Sequence, residues 1–197
     1  MNPSAENSVA PATARGSQTS RARRILRWAE HLFAAIGLCF VVYHFCFELT
    51  VMTSDSMAPT LNGASFENGD RILLEKVSSW FRAPKRWDIY FYYDTDGNPV
   101  AKRVVGLPGE KISLRNGQVY INGIPLQRPN GLKPAKYYGY GSLANEREVD
   151  CGRGYFMLGD ASIDSFDSRY TGLVTRERFR GRIWCIVSPR AHAGFVK

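Results

Sequence analysis

Residues 1 to about 20 carry almost no large apolar side chains; they are mostly Ala, Ser, Thr, Asn and Pro. That composition cannot offset the entropy lost on ordering, so a disordered tail is expected. An apolar block follows from Leu32 to Phe47, LFAAIGLCFVVYHFCF, broken only by His44. Extended to Met52 it covers 21 residues, and about 20 suffice to cross a bilayer as a helix. The pattern thus predicts a tail over 1–24, a membrane-spanning helix over 25–51 and a folded domain over 52–197. Past residue 52 the pattern changes to short runs between turn signals. Strands are predicted over Arg71–Lys76, Asp88–Tyr92, Val100–Val105, Lys111–Leu114, Gln118–Ile121, Tyr155–Leu158 and Gly181–Ser188. Asn68-Gly69, Asp96-Gly97, Asn116-Gly117 and Asn122-Gly123 supply turns. No long helical period intervenes, so the domain is expected to be mostly β and compact. Asn130–Tyr140, rich in Gly, Pro and Tyr without a period, reads as an exposed loop.

Charge refines this picture. The net charge of +8 suggests nucleic acid at first sight, but Arg15, Arg21, Arg23, Arg24 and Arg27 stand against Glu6 ahead of the apolar block. Arginines flanking a hydrophobic segment are explained better by membrane topology: the N-terminus stays cytoplasmic and the domain lies across the bilayer. No nucleic-acid partner is expected. A cleaved signal peptide would need a small-x-small site after the apolar core, and a buried soluble helix fits poorly beside five arginines. One uncleaved span in a cell membrane is therefore expected. The 146 residues beyond residue 51 suffice to bury roughly 68–70% of their unfolded surface, so the domain does not require disulfides. Among the four cysteines, Cys39 and Cys46 lie in the apolar block, while Cys151 and Cys185 lie far apart without C-x-x-C spacing. His31, His44 and His192 do not cluster, and only His192 falls within the domain. Neither a metal site nor a serine–histidine triad is expected.

Three stretches carry candidate chemistry. The first is Ser54-Asp55-Ser56-Met57-Ala58-Pro59-Thr60-Leu61, directly after the apolar block. A serine becomes a nucleophile when a base takes its proton, and Pro59 suggests a rigid turn presenting Ser56. In isolation the same octapeptide reads as a capped turn with Met57 packed inward. The second is Lys102-Arg103-Val104-Val105-Gly106-Leu107-Pro108-Gly109-Glu110, where strand alternation puts Lys102 on one face with Val100 and Val104. Desolvation on such a face would lower the lysine pKa and make it a base; alternatively its stem covers the valines and its ammonium reaches water. The third runs from Gly159 to Gly172, GDASIDSFDSRYTG, dense in short hydrogen-bonding side chains. There Asp167 and Arg169 can pair across a bend and Ser165 can bond a nearby amine, or the stretch is an Asx-rich surface loop.

Taken together these stretches resemble the type I signal peptidases, membrane-anchored serine–lysine proteases that remove signal peptides from exported proteins. The pattern S-x-S-M-x-P-T-L at Ser54–Leu61, G-D-x-[VI]-L-x-x-K at Gly69–Lys76, K-R-V-V-G-L-P-G-E at Lys102–Glu110 and G-D-x-S-x-x-S-x-D-S-R-x-x-G at Gly159–Gly172 occurs in the family's order, behind one span. The resemblance implies Ser56 as nucleophile and Lys102 as general base. It also implies an oxyanion hole from the Ser54 hydroxyl and the Ser56 N–H. Ser165 would hold the lysine amine in line, with Asp167 and Arg169 bracing its loop. It further implies a β-rich fold of the signal peptidase type and an extended substrate along exposed strands. Small pockets would accept an A-x-A-like site in signal-peptide-bearing precursors, which arrive laterally from the lipid bilayer. No cofactor is implied.

Two positions depart from the family pattern: Ala161 replaces an asparagine after Gly-Asp, and Asp55 puts a charge between Ser54 and Ser56. The short stretch between Glu110 and Cys151 leaves no room for a large extra β-domain. Other readings remain. A conjugation-associated serine–lysine peptidase maturing a pilin or transfer protein would differ only in substrate, and an inactive anchored domain would bind exported chains without cutting them. Self-cleaving repressors also use serine and lysine but carry a DNA-reading module. Cys151 and Cys185 flank the Gly159–Gly172 loop and would bridge if their Cα atoms lie within about 7 Å; alternatively Cys185 is a small core hydrophobe.

Overall fold

The structure, a computed structural model, describes residues 15–63, 65–133 and 135–196. Of the tail expected over 1–24, residues 1–14 lie outside the described residues, and helix α1 occupies Arg15–Cys46. From Arg21 to Cys46 it is long and apolar enough to cross a membrane, with Phe33, Leu38 and Phe40 among its exposed side chains. The chain divides into two compact units, one ending at Tyr43 and one beginning at His44.

The span read as continuing to residue 51 ends earlier. Phe47–Val51 is strand β1, paired antiparallel with β2 (Arg71–Glu75) from Phe47↔Glu75 to Val51↔Arg71. The reason is a period of two hidden at the end of the apolar block. Phe47, Leu49 and Val51 alternate with Glu48 and Thr50, and the Glu48 carboxylate meets Lys76 at 3.4 Å and Arg180 at 2.7 Å.

The remaining strands are β3 (Ile89–Tyr93), β4 (Pro99–Gly106), β5 (Lys111–Arg115), β6 (Gln118–Ile121), β7 (Ile124–Pro125), β8 (Val149–Asp150), β9 (Phe156–Leu158), β10 (Phe179–Ser188) and β11 (Gly194–Phe195). One antiparallel sheet runs β1-β2-β10-β3-β4-β9 with β11 on β10; a second runs β7-β6-β5-β8. Helices α2 (Val77–Phe81) and α3 (Ser168–Thr171) are single short turns. Each predicted strand is present within two residues of its expected ends, whereas β7, β8 and β11, only two residues long, leave too little pattern to read. Asn116-Gly117 and Asn122-Gly123 have positive φ at all four residues, the conformation a tight hairpin turn demands.

Three apolar clusters fill the interior. One joins Met57 and Leu61 to Ile72, Leu74 and Phe91, so the segment after the apolar block is rooted in the main sheet. A second lies under the smaller sheet around Ile112, Leu114, Val119 and Phe156, and a third around Tyr90, Val104 and Met157. The bridge considered between Cys151 and Cys185 is not formed; both thiols are free. Cys151 precedes β9 and packs by Gly106, whereas Cys185 sits on β10 opposite Leu73 and Phe195. Strands β3 and β4 separate β10 from β9, which keeps the two cysteines apart.

Candidate active site

Ser56 lies in a single 3-10 turn, Asp55–Met57, started by Ser54, whose Oγ accepts the Ser56 N–H at 3.2 Å. The turn is pinned on several sides. Met57 and Leu61 are buried, Ala58 N–H donates to Asp55 C=O at 2.8 Å, and Leu61 N–H donates to Met57 C=O at 3.0 Å. The Asp55 carboxylate accepts the Gly63 N–H at 2.8 Å, so the unusual charge helps close the loop. From the Gly159–Gly172 side, Ala161 N–H donates to the Ser56 carbonyl at 3.1 Å.

Lys102 sits in the middle of β4, opposite Tyr90 on β3, with only 3% of its surface exposed. Of the two fates open to it in the sequence, it is buried rather than snorkelling. Its Nζ is hydrogen-bonded to Ser56 Oγ at 2.6 Å. Desolvation is the main influence on the amine and brings its pKa from 10.5 down to about 8; Asp167 acts upward and Arg169 downward. At pH 7 about a tenth of the molecules then carry the neutral amine, where an exposed lysine is almost wholly charged.

Asp167 and Arg169 form a buried two-pronged pair, with Nε and Nη2 each 2.8 Å from a carboxylate oxygen. Asp167 also caps α3 through Arg169 N–H and accepts Gly159 N–H at 3.0 Å. The guanidinium further donates to the Tyr138 carbonyl, the Ser162 hydroxyl and the Ser162 carbonyl. This is a braced interior loop, not the surface loop its composition also allowed. The Ser165 hydroxyl, expected on the lysine amine, donates to Asp167 Oδ2 at 2.7 Å instead. The Asn130–Tyr140 segment is mostly exposed loop, as expected, except at one side chain that turns inward. Tyr137 is buried, its hydroxyl donates to Asp160 at 3.1 Å, and Tyr138 N–H donates to Ser162 Oγ at 2.9 Å.

A second buried pair has no assigned role in the sequence reading. Arg103 Nε and Nη2 donate to Asp160 at 2.8 and 2.6 Å, Arg103 Nη1 donates to the Trp87 carbonyl at 2.7 Å, and Thr60 Oγ1 donates to Asp160 at 2.5 Å. Burial alone would raise the Asp160 pKa, but the bonds and charge of Arg103, with Thr60 and Arg128, leave it lowered. The available signal was alternation: neighbours on a strand face opposite ways, so if Lys102 faces the serine, Arg103 faces away from it, and where that face is buried it needs a carboxylate.

Two cavities, about 240 and 200 Å³, flank the Ser56–Lys102 pair and share Ser54, Ser56, Val100 and Lys102. The larger is walled by Met52, Phe91, Pro99 and Ala101; the smaller by Tyr92, Asp94 and Phe166. A hydroxyl beside a desolvated amine, with space on both sides, is an arrangement suited to acyl transfer.

The family model of signal peptidase, peptidase S26, matches residues 25–188. Signal peptidase I of Leptolyngbya laminosa is 32% identical over 87% of this chain and 84% of its own length. Signal peptidase I S of Bacillus subtilis (strain 168) is 31% identical over 85% of this chain and 91% of its own. Probable signal peptidase I-2 of a Synechocystis strain is 30% identical over 87% and 77%. With most of its length, and all of the segments that build the serine–lysine site, inside the matched region, the chain belongs to the signal peptidase family, peptidase S26.

Proposed function

We propose that the protein is a membrane-anchored endopeptidase that removes N-terminal signal peptides from exported proteins. Ser56 is the nucleophile and Lys102 the general base; the observation carrying this is the 2.6 Å contact between Ser56 Oγ and a buried amine. The neutral amine takes the hydroxyl proton as Oγ attacks the scissile carbonyl carbon. The lysine ammonium then gives that proton to the departing amine, the new N-terminus of the mature protein. A water, deprotonated by Lys102, attacks the acyl–Ser56 ester, and the proton returns to Oγ as the signal peptide leaves with a free carboxylate.

The developing oxyanion is held by the Ser56 N–H and the Ser54 hydroxyl. The Ser56 N–H is donated to the Ser54 Oγ at 3.2 Å, so the Ser54 hydroxyl has to rotate off that N–H for it to reach the oxyanion, with the Ser54 O–H as the second donor. Each such donor is typically worth about 3 kcal/mol in the transition state. The cavity walled by Met52, Phe91 and Ala101 takes the small side chains preceding the cut, and the other cavity lies on the side of the mature chain. Asp167 and Arg169 hold the loop on which Gly159 and Ala161 reach the Ser56 carbonyl, and Ser165 acts through Asp167.

The apolar helix anchors the protein in the cell membrane as a single pass, with the N-terminal arginines cytoplasmic and the catalytic unit on the outer face. Incubating the full chain with a precursor and sequencing the N-terminus of the product tests the activity. The same assay separates it from a binding-only domain, which would release no fragment.

A further inference from the structure

The segment that presents Ser54 and Ser56 is closed at its base by one residue. Met52 N–H donates to the Asp70 carbonyl at 2.9 Å, Asp70 N–H donates to the Asn62 carbonyl at 2.8 Å, and Asn62 N–H donates to Asp70 Oδ2 at 2.7 Å. Met52 to Asn62 is therefore a loop drawn shut at Asp70, with the reacting serine near its middle. The Asp70 side chain is 2% exposed. A buried carboxylate needs donors, and a backbone N–H from Asn62 does not satisfy both oxygens.

Its other partner comes from the opposite end of the chain. His192, in the hairpin between β10 and β11, places Nδ1 at 2.8 Å from Asp70 Oδ2 and 3.0 Å from Oδ1. Lys133 Nζ lies 3.5 Å from His192 Nε2 and donates to the Pro59 carbonyl at 2.5 Å, inside the same closed loop. Asn62 Nδ2 lies 3.3 Å from the same Nδ1; both are donors when Nδ1 carries its proton to the much closer Asp70 oxygens, the arrangement that also leaves Nε2 free to accept from the Lys133 ammonium. The hairpin itself is fixed: Val196 N–H donates to the Trp184 carbonyl at 3.0 Å, and Val196 packs on the cluster containing Met57 and Leu61.

We propose that His192 is a positioning residue for the peptidase reaction, a latch that holds the Asp70 carboxylate on Asn62 and so fixes the loop carrying Ser56. This rests on the assignment of Ser56 and Lys102, from which His192 is separate; none of its hydrogen bonds reaches either residue. Without the imidazole the carboxylate turns toward other donors, the Asn62 N–H is released, and Ser56 loses its fixed distance to Lys102.

Two variants of the full-length chain in detergent micelles test it. His192→Leu keeps bulk but removes the donor, and His192→Asn keeps an N–H near the position of Nδ1. Backbone amide exchange is followed at Met52 and Asn62, alongside kcat and KM on a precursor. His192→Leu is expected to speed exchange at both amides by about tenfold or more. It should lower kcat by about tenfold with KM within about twofold, and His192→Asn should recover both. Unchanged exchange in His192→Leu, failure of Asn to restore it, or lost protection with full kcat would each overturn the latch. A wild-type chain that cuts nothing yet gives this exchange pattern would keep the latch and remove the Ser56–Lys102 reading.

Discussion

The Ala161 N–H donates to the Ser56 carbonyl at 3.1 Å, so the loop that begins at Gly159 touches the reacting residue through its backbone. A side chain at Gly159 has nowhere to go. Its Cβ would lie 2.1 Å from Ser165 Oγ and 2.5 Å from the Ser56 carbonyl oxygen. Gly159→Ala is expected to push the loop from the serine and cost about 10²-fold in kcat, the scale of a 1 Å misplacement. Activity within twofold of wild type would mean that the loop does not set the position of Ser56.

Lys102 makes both rate and stability depend on pH. The neutral amine is the working form, so kcat/KM should rise with pH through an inflection at about 8 and level off above it. Between about 8 and 10.5 the unfolded chain binds the proton that the folded lysine has lost, so this residue makes stability increase with pH across that window. Arginine keeps the charge but cannot give up its proton, so Lys102→Arg should cut no precursor at any accessible pH. A variant that still cleaves with an unshifted profile would make the lysine structural.

Arg103 and Asp160 form a pair of side chains with almost no solvent contact, 0% and 1% exposed. Replacing Arg103 by Leu leaves the Asp160 charge without its main partner and should lower stability by about 3–5 kcal/mol, read from urea unfolding of the full chain in detergent. A loss below about 1 kcal/mol, the scale of an exposed ion pair, would show that Tyr137, Thr60 and Arg128 suffice.

Much of this was legible in the residues. The main strands follow from alternation and from Asn-Gly turns, whereas Lys102 on a face with Val100 and Val104 left two fates open, a desolvated amine or an ammonium reaching water, and only the resemblance chose between them. Strand β1 was not legible as one, because its alternation is appended to an apolar helix and merges with it. The buried position of Tyr137 also escaped the pattern: a loop without period gives no signal for a single side chain that turns inward to meet Asp160. Ser165 was expected on the Lys102 amine and bonds Asp167 instead. Spacing brings a hydroxyl to a loop but does not choose between an amine and a carboxylate within its reach. His192 gave no sign of its bond to Asp70, since 122 residues separate them.

The proposed topology keeps the arginines in the first half of α1, Arg15 to Arg27, on the cytoplasmic side with the N-terminus. Protease added outside intact spheroplasts should therefore digest the unit beginning at His44. Protection of that unit until the membrane is opened would reverse the orientation.

In the proposed reaction Ser56 is activated by Lys102. The most direct measurement is the cleavage of one purified precursor by the full-length wild type and by Ser56→Ala, with both proteins checked for the same thermal unfolding. The hydroxyl lies on a turn anchored by Met57 and Leu61, so removing it should abolish the mature N-terminus while leaving the melting transition in place. A Ser56→Ala protein that yields that N-terminus at a rate near wild type would show that Ser56 is not the nucleophile.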